Sequence, residues 1–263
     1  MLGRNDPLCG YEPVPCLITA ISDCLPVLGT PDFTEPFMSV VQLTGASQVT
    51  AFAYHPDKVE CLVSRNFQSD DEGGILAAAY LDGGFRDDPL YRRAIAMDPG
   101  ECIVERLEDL LPRISSRYLA MFFGSAGFRT KIATMVAQDS LRMVANLYFR
   151  EPTSEPFGGM QELNRLIGRT LATHFLRLNP PDFPFPLAVL SERERQVCLG
   201  MLAGKKAEII AEEVGVGLSS VVTYRQRAYH KLGISSRGEL FAICHSWHSQ
   251  QARPQMVRAR LPN

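Results

Sequence analysis

Several features that would mark a membrane, secreted or metal-dependent protein are missing from this sequence of 263 residues. No apolar run approaches the ~18 residues that a membrane helix needs, and the N-terminus lacks the apolar stretch of a secretory signal. The seven cysteines show no C-x-x-C spacing, and the group Cys244, His245 and His248 has no further ligands near it. We therefore predict a cytoplasmic protein with free thiols, no metal and no cofactor.

Motifs of common enzymes are also missing. There is no G-x-x-x-x-G-K-[ST] phosphate loop and no H-E-x-x-H, and the segment around Ser125 lacks the G-x-S-x-G spacing of a nucleophile elbow. The acidic residues Glu105, Glu108 and Asp109 have the pattern of a solvated helix face. The sequence therefore predicts that the protein is not an enzyme.

The small formal net charge of −2 conceals two regions of opposite sign. Residues 1–189 carry 16 basic and 23 acidic side chains, whereas residues 190–263 carry 11 basic and 6 acidic ones. A compact basic region after a larger acidic one is typical of a regulatory domain joined to a module that binds a polyanion, most often DNA. A basic tail that is only solvated gives the same charges, so charge alone leaves both interpretations open.

Four prolines between residues 180 and 186 mark the clearest boundary in the chain. Proline removes backbone donors and favours an extended, semi-rigid segment that no helix can cross. We predict a flexible tail at 1–13, an N-terminal domain at 14–178, a proline-rich linker at 179–187, a C-terminal domain at 188–248 and a flexible basic tail at 249–263.

Alternating apolar and polar residues predict two antiparallel hairpins in the N-terminal domain, with one apolar sheet face. Helical spacing occurs on either side of them, which predicts an α+β domain with an antiparallel sheet flanked by helices. On the last helix, His174 lies on an apolar stripe, where a core or interface role is favoured over ligand binding. The predicted strands are 49–54, 59–63, 132–136 and 141–149, and the predicted helices lie near 16–28, 89–97 and 114–123 and after Pro156.

Three short helices separated by glycine turns are predicted in the C-terminal domain. Ser191 and Glu194 have capping-box spacing at the start of the first helix, and Gly204 stands where that helix should end. A second helix at about 206–214 and a third at about 218–232 are joined by the turn Gly-Val-Gly. This is the arrangement of a helix-turn-helix.

The stretch LSERERQVCLGMLAGKKAEIIAEEVGVGLSSVVTYRQRAYHKLGISSRGEL closely resembles the LuxR-type, or GerE-type, DNA-binding domain. The family pattern is roughly L-[ST]-x-R-E-x-x-V, then A-x-G, then E-I-A, then T-V-x-x-[HY] and K-L-G-[IV]. It matches in register without an insertion, from Arg193 and Glu194 through Gly204 and Val221 to Ile234. The resemblance implies a small all-α four-helix domain whose third helix enters the major groove.

By this resemblance the base-facing residues are Val222, Thr223 and Gln226. Glutamine can form a bidentate contact with adenine, and the methyl groups of threonine and valine can pack on thymine, so A·T content is expected in the operator. In the family Lys231 and Arg193 also pair with acidic side chains, and for these two either role is open. The candidates for phosphate contacts are Arg225, Arg227, His230, Lys231, Lys205, Lys206 and Arg193.

A fourth helix after residue 236 carries an apolar edge whose residues lie 0, 3, 4 and 7 positions after Leu240. This apolar surface is larger than a three-helix core needs. In the family this helix supplies dimer contacts, so the resemblance implies a two-fold dimer with paired recognition helices. The implied partners are the double-stranded DNA of a promoter operator, a second copy of this chain and, as a further candidate, RNA polymerase. The predicted dimer edge is Leu240, Ile243, Cys244 and Trp247.

LuxR-type modules are joined to receiver domains, to large ATPases or to small-molecule sensors. The alternating strands are unlike the buried parallel strands of a receiver, and the phosphate loop of an ATPase is missing, so the resemblance implies a sensor of GAF, PAS or autoinducer-binding type. The segment around Asp88 and Pro89 resembles the aromatic-to-Asp-Pro segment of acyl-homoserine-lactone receptors, although it is one residue shorter. The pocket tryptophans of those receptors are missing, since Trp247 is the only tryptophan. Asp88 and Pro89 also fit the N-cap and first position of a helix, which we favour. The candidate pocket residues are Phe52, Tyr54, Tyr80, Phe85, Asp88, Tyr91, Phe123 and Phe128.

The sequence thus predicts a dimeric LuxR-type transcriptional regulator, quorum-sensing-like in its organisation, whose ligand is not clearly an acyl-homoserine lactone. The alternative is an interaction protein or antiactivator that binds DNA weakly and sequesters a partner. Val222 favours that alternative, because many relatives have a lysine there that contacts DNA.

Overall fold

The chain forms an N-terminal α+β domain and a C-terminal helical domain, as predicted. The structure is a computed structural model that describes residues 13–56, 58–67, 76–120, 127–151, 160–178 and 182–251. Most of both predicted tails lies outside these residues. Within them, no helix is long and apolar enough to span a membrane.

The N-terminal domain is built on a five-stranded antiparallel sheet with the strand order β2-β1-β5-β4-β3. Both predicted hairpins are confirmed, as β1 pairs with β2 and β4 pairs with β5. β1 also pairs with β5, so the two hairpins meet at the centre of the sheet. The strands are β1 (Gln48–Tyr54), β2 (Val59–Asn66), β3 (Cys102–Arg106), β4 (Thr130–Gln138) and β5 (Leu141–Phe149).

The prediction that the acidic cluster at Glu105 is a solvated helix face was wrong. Glu105 lies in the edge strand β3, is buried, and pairs with Arg93 and with Arg113, whose Nη2 lies 3.1 Å from its carboxylate. The two arginines compensate the buried charge. Only Glu108 and Asp109 lie in a helix, the single turn α5 (Leu107–Leu110).

Six other α-helices surround the sheet in the described part of the N-terminal domain. The predicted helices near 16–28, 89–97 and after Pro156 are confirmed, whereas the prediction at 114–123 is borne out only by one short helix, and residues 121–123 lie outside the described part. Two helices, α2 and α3, were not predicted. These six are α1 (Pro13–Cys24), α2 (Thr34–Leu43), α3 (Leu76–Leu81), α4 (Pro89–Ala96), α6 (Ser116–Leu119) and α7 (Met160–Arg177).

Both faces of the sheet are buried, and they differ in character. α7 covers one face, where a Cβ on Gly168 would come within 2.5 Å of Thr134 Cγ2, so the helix approaches the strand closely at this glycine. Thr134 Oγ1 donates a hydrogen bond to the carbonyl oxygen of Asn164 across this contact, at 3.3 Å. α4 packs on the opposite side against β4 and β5, above the face that carries polar residues.

The C-terminal domain has the four helices that the sequence predicts. The capping box is present, with the Ser191 amide donating to Glu194 Oε2 at 2.9 Å, and Gly204 has the left-handed φ of +77° that ends the first helix. The helices are α8 (Glu192–Leu202), α9 (Ala207–Val214), α10 (Leu218–Leu232) and α11 (Arg237–Gln251).

The predicted extended linker is, in its described part, a packed segment. Residues 182–184 lead into a 3₁₀ helix at Phe185–Val189, whose Leu187 is fully buried. Proline is compatible with the first turn of such a helix, and burial of the neighbouring apolar side chains stabilises the compact form. Residues 179–181 lie outside the described part.

The two domains pack directly against one another. α10 and α11 contact β2, and α11 also contacts α3. Ser64 Oγ on β2 donates a hydrogen bond of 2.6 Å to the carbonyl oxygen of Leu232 at the end of α10. The helical domain is therefore docked on the edge strand of the sheet.

Candidate DNA-binding surface and sensor interior

α10 presents one buried face and one exposed face. Val221, Ala228 and Leu232 lie in the core of the helical domain. The opposite face exposes four of the residues proposed to contact DNA, and Val222 is half-buried beside them. The exposed residues are Thr223, Arg225, Gln226 and Arg227. Docking of the two domains leaves these four side chains exposed.

Lys231 ties α10 to α8. Its Nζ lies 2.7 Å from Oε2 of Glu194, a side chain that is almost completely buried. Burial raises the pKa of Glu194, but Lys231 and the Ser191 hydrogen bonds outweigh it and hold that pKa below its ordinary value. Lys231 therefore has a structural partner inside the domain.

Two further basic candidates have protein partners. Arg193 Nη1 donates to the carbonyl oxygen of Val214 at the end of α9, at 2.6 Å. Lys205 Nζ forms an ion pair with Glu213, with Oε2 at 2.7 Å. Lys206 is exposed at the N-cap of α9, and His230 is half-buried near the end of α10.

Asp88 is the centre of a buried network on the inner side of the sheet. Its Oδ2 accepts hydrogen bonds from the hydroxyls of Tyr80 and Tyr118, each at 2.9 Å, and Tyr80 also bonds to Tyr54. Asp88 Oδ1 accepts from the amide of Leu90, so the predicted role as N-cap of α4 is confirmed. Burial, followed by the Asp88 carboxylate, raises the pKa of Tyr80 and Tyr118 well above the ordinary value.

Six of the eight predicted pocket residues form one aromatic cluster around this network. Phe85 packs edge-on to Tyr91 at 5.0 Å between ring centroids, and Phe52 packs on Tyr80 at 4.6 Å. Phe128 packs instead against Tyr148 at 5.1 Å, and Phe123 lies outside the described residues. The cluster consists of Phe52, Tyr54, Tyr80, Phe85, Asp88 and Tyr91.

Polar side chains that the sequence did not single out line the sheet beside this cluster. Gln48, Tyr148 and Lys131 stand side by side across β1, β5 and β4, with Asn146 on the same face. All four are buried. Within the described part of the chain, three of their atoms have no hydrogen-bond partner: Nε2 and Oε1 of Gln48 and Oδ1 of Asn146.

These groups are costly where they stand. A buried polar group without a partner costs about 1 to 3 kcal/mol. Burial lowers the pKa of Lys131, and the Asp88 carboxylate opposes that effect. Such an arrangement can bind a polar molecule that supplies the missing partners. Period-2 alternation could have indicated Lys131 and Asn146, but it assigns polar positions to solvent unless a second layer of helices is known.

Comparison with known proteins addresses the helical domain first. Residues 188–244 match the model of the luxR family of bacterial regulatory proteins. This part of the chain is a LuxR-type DNA-binding domain. The response regulator GacA of Pseudomonas viridiflava is 32% identical over 120 residues, which cover 44% of this chain and 49% of that protein. A putative HTH-type transcriptional regulator of Aeromonas salmonicida is 44% identical over 54 residues, covering 20% of this chain and 28% of that protein.

The match thus spans about half the length of GacA. It spans 28% of the length of the Aeromonas salmonicida regulator. Among solved structures, the LBD domain of VqsR from Pseudomonas aeruginosa covers 62% of this chain and 96% of that chain, with 14% identity and a TM-score of 0.45. Escherichia coli SdiA covers 87% of this chain and 98% of that chain, with 13% identity and a TM-score of 0.43.

The predicted dimer edge of the LuxR-type domain is covered by the chain itself. Leu240, Ile243 and Cys244 are each at most 1% exposed, and α11 packs against β2 and α3 as well as against α8 of its own domain. The side chain of Trp247 lies outside the described part. In this arrangement the three described residues are buried and are not available to a second copy.

Proposed function

We propose that the protein is a sequence-specific transcriptional regulator that reads DNA with the exposed face of α10. The exposure of Thr223 and Gln226 on a helix held by a buried core carries this proposal. A glutamine amide matches the donor and acceptor that adenine presents in the major groove, and a threonine methyl can pack on thymine.

Exposed basic residues next to these side chains supply the phosphate contacts of the proposal. Arg225 and Arg227 flank Gln226, and Lys206 stands at the start of α9. Arg193, Lys205 and Lys231 have intramolecular partners, so we assign them to the stability of the domain. The expected number of phosphate contacts per domain is therefore small, and a homodimer doubles it.

The homodimer of the proposal requires a change at α11. α11 packs against β2 and α3 of the N-terminal domain, so the face that meets them becomes available to a second copy only when the domains separate. Paired recognition helices would then lie about one turn of DNA apart. RNA polymerase, as a partner of the DNA-bound dimer, belongs to the same proposal.

Binding to a genomic promoter library at several salt concentrations tests the proposal. A regulator is expected to select discrete sites with affinities of about 10⁻⁸ M or tighter and a steep fall of log K with log salt. Selection of no site above the non-specific level would contradict it. That outcome would favour the alternative, a protein that sequesters a partner.

We further propose that the N-terminal domain binds a polar small molecule beside the Asp88 network. The unpaired amide of Gln48, the unpaired Oδ1 of Asn146 and the ammonium of Lys131 support this proposal, since all three belong to one wall of the domain. Native mass spectrometry of the full-length protein isolated from its own host tests it. A bound mass that disappears in Gln48→Leu and persists in the exposed control Gln42→Leu is expected, and its persistence in both variants would refute it.

A further inference from the structure

A cavity lies between the two domains, on the side of the sheet opposite to the Asp88 network. Its enclosed part has a volume of about 110 Å³, and the space reaches about 690 Å³ when the open mouth and the solvent in it are included. Its walls come from α2, β2, α7, the segment 182–189 and α8. Its lining is mainly aromatic and aliphatic and includes Phe33, Phe37, Met38, Leu171, Phe175 and Phe185.

The position of α7 separates this cavity from the proposed sensor site. α7 packs on the sheet face of Thr134, as its contact through Gly168 shows. Lys131 stands three residues before Thr134 in the same strand, so its side chain belongs to the other face. Leu171 of α7 and Lys131 therefore line different spaces.

His174 provides a hydrogen-bond donor in this apolar surrounding. Its Nδ1 accepts a hydrogen bond of 3.1 Å from the Gly29 amide, so the proton of the neutral imidazole lies on Nε2. The ring stacks on Phe33 with centroids 4.0 Å apart. Within the described residues, the hydrogen bond to Nδ1 is the one that the imidazole forms, and His174 lines the cavity.

Arg195 of α8 supplies the charge. It is the one ionised side chain among the described residues that line the cavity. Its guanidinium lies over the Phe183 ring at 4.5 Å and pairs with Glu192, whose own side chain is 62% exposed. A ligand carboxylate could replace this largely solvated partner, because a guanidinium binds a carboxylate through two parallel hydrogen bonds.

We propose that this cavity is a binding site for a medium-chain fatty acid. The acyl chain would fill the aromatic and aliphatic space between α2 and α7, the carboxylate would bind Arg195, and His174 would donate to an oxygen of the ligand. Walls from both domains enclose the ligand, so its binding stabilises the docked arrangement of the LuxR-type domain. This site is independent of the DNA contacts and of the polar site beside Asp88.

Binding of dodecanoate to the full-length protein, below its critical micelle concentration, tests the proposal by calorimetry. One dodecanoate per chain is expected. Ala188 lines the cavity, so Ala188→Phe should fill it and weaken binding about tenfold or more. Ala203 is exposed outside the cavity, so Ala203→Phe is the matched control and should bind like the wild type.

Arg195→Gln provides a second, chemically specific variant on a partly exposed side chain. It should weaken dodecanoate about tenfold, the loss of a hydrogen bond to a charged group, and leave dodecanol unchanged. Equal binding of dodecanoate by wild type, Ala188→Phe and Arg195→Gln would overturn the proposal. So would loss of binding in Gln48→Leu alone, because that would place the probe beside the Asp88 network. If Ala188→Phe does not fold, the dodecanoate-to-dodecanol comparison in Arg195→Gln decides alone.

Discussion

The basic side chains of the helical domain have different roles, although the sequence made all of them candidates for DNA contacts. Arg193 and Lys231 hold helices together through Val214 and Glu194, whereas Arg225 and Arg227 face solvent on α10. The family pattern located all of them, and it left both roles open for the first two. The partner decides between these roles, and it lies 21 residues from Arg193 and 37 from Lys231 along the chain.

Gln226→Ala is expected to weaken binding to the cognate operator by about 1 to 3 kcal/mol and to relax the preference at one base pair. The reason is the loss of a bidentate contact that random DNA does not offer. Competition binding with the cognate site and with single-base variants measures both effects. Arg227→Ala serves as the control, since a phosphate contact should weaken all sequences equally. Equal losses of Gln226→Ala on cognate and random DNA would remove the base-reading role.

His174 makes the stability of the N-terminal domain sensitive to acid. Burial lowers its pKa from 6.5 to about 4, so between these values the unfolded chain binds a proton that the folded chain does not. Stability is therefore unaffected above pH 6.5 and falls as the pH drops from 6.5 towards 4, by about 3 kcal/mol at most.

His174→Asn should flatten this part of the stability profile. Asparagine keeps an acceptor for the Gly29 amide and does not titrate. The lost ring stacking on Phe33 lowers stability equally at every pH, so only the slope is diagnostic. Urea unfolding of both proteins at pH 7.5, 6, 5 and 4.5 measures this slope. Parallel stability profiles of the two proteins would contradict the prediction, because they would mean that folding does not change the pKa of His174.

At the scale of elements, the helical domain depends on a few contacts between its helices. Lys231→Met should destabilise it by about 3 kcal/mol, because Glu194 is then left as a buried charge that keeps only the Ser191 hydrogen bonds. Lys205→Met is the matched control, and removal of its exposed pair with Glu213 should cost less than about 1 kcal/mol. Thermal unfolding measures both. A loss of DNA affinity in Lys231→Met with unchanged stability would instead make Lys231 a DNA contact.

Elements with a local signature could be predicted, and those defined by distant partners could not. The capping box at Ser191 and the glycine at Gly204 determine the limits of α8 from a few neighbouring residues. The strand β3 has no such signature, because Glu105 is acceptable there only next to Arg93 and Arg113. α2 was missed since its proline, Pro36, occurs in the first helical turn, where it is tolerated but reads as a loop.

The candidate sites divide along the same line. Six pocket residues were found because aromatic residues on strands and helices of one small domain must meet in its core. Gln48 and Lys131 were missed, since buried polar residues cannot be told from solvated ones without the layer that covers them. The cavity at Arg195 was missed for a further reason. The cavity forms where the two domains meet, whereas the sequence analysis predicted an extended linker that keeps the domains apart.

At the scale of the whole molecule, the proposed dimerisation through α11 requires that the two docked domains separate. Ser64→Arg should separate the domains, because Ser64 is fully buried where its hydroxyl meets the Leu232 carbonyl. The expected result is a shift from monomer to dimer and tighter operator binding, measured by sedimentation velocity and by DNA titration. Ser39→Arg on the exposed side of α2 should change neither. A monomer in both variants would mean that α11 does not form the dimer.

The chain contains an intrinsic fluorescent probe of this separation of the domains. Its single tryptophan, Trp247, belongs to α11, the helix that leaves β2 and α3 when the domains separate. Ultraviolet emission excited at the indole band therefore arises from one helix and requires no added dye. Stopped-flow mixing of the unlabelled protein with operator DNA, or with a fatty acid, can thus time the separation and the return of this helix.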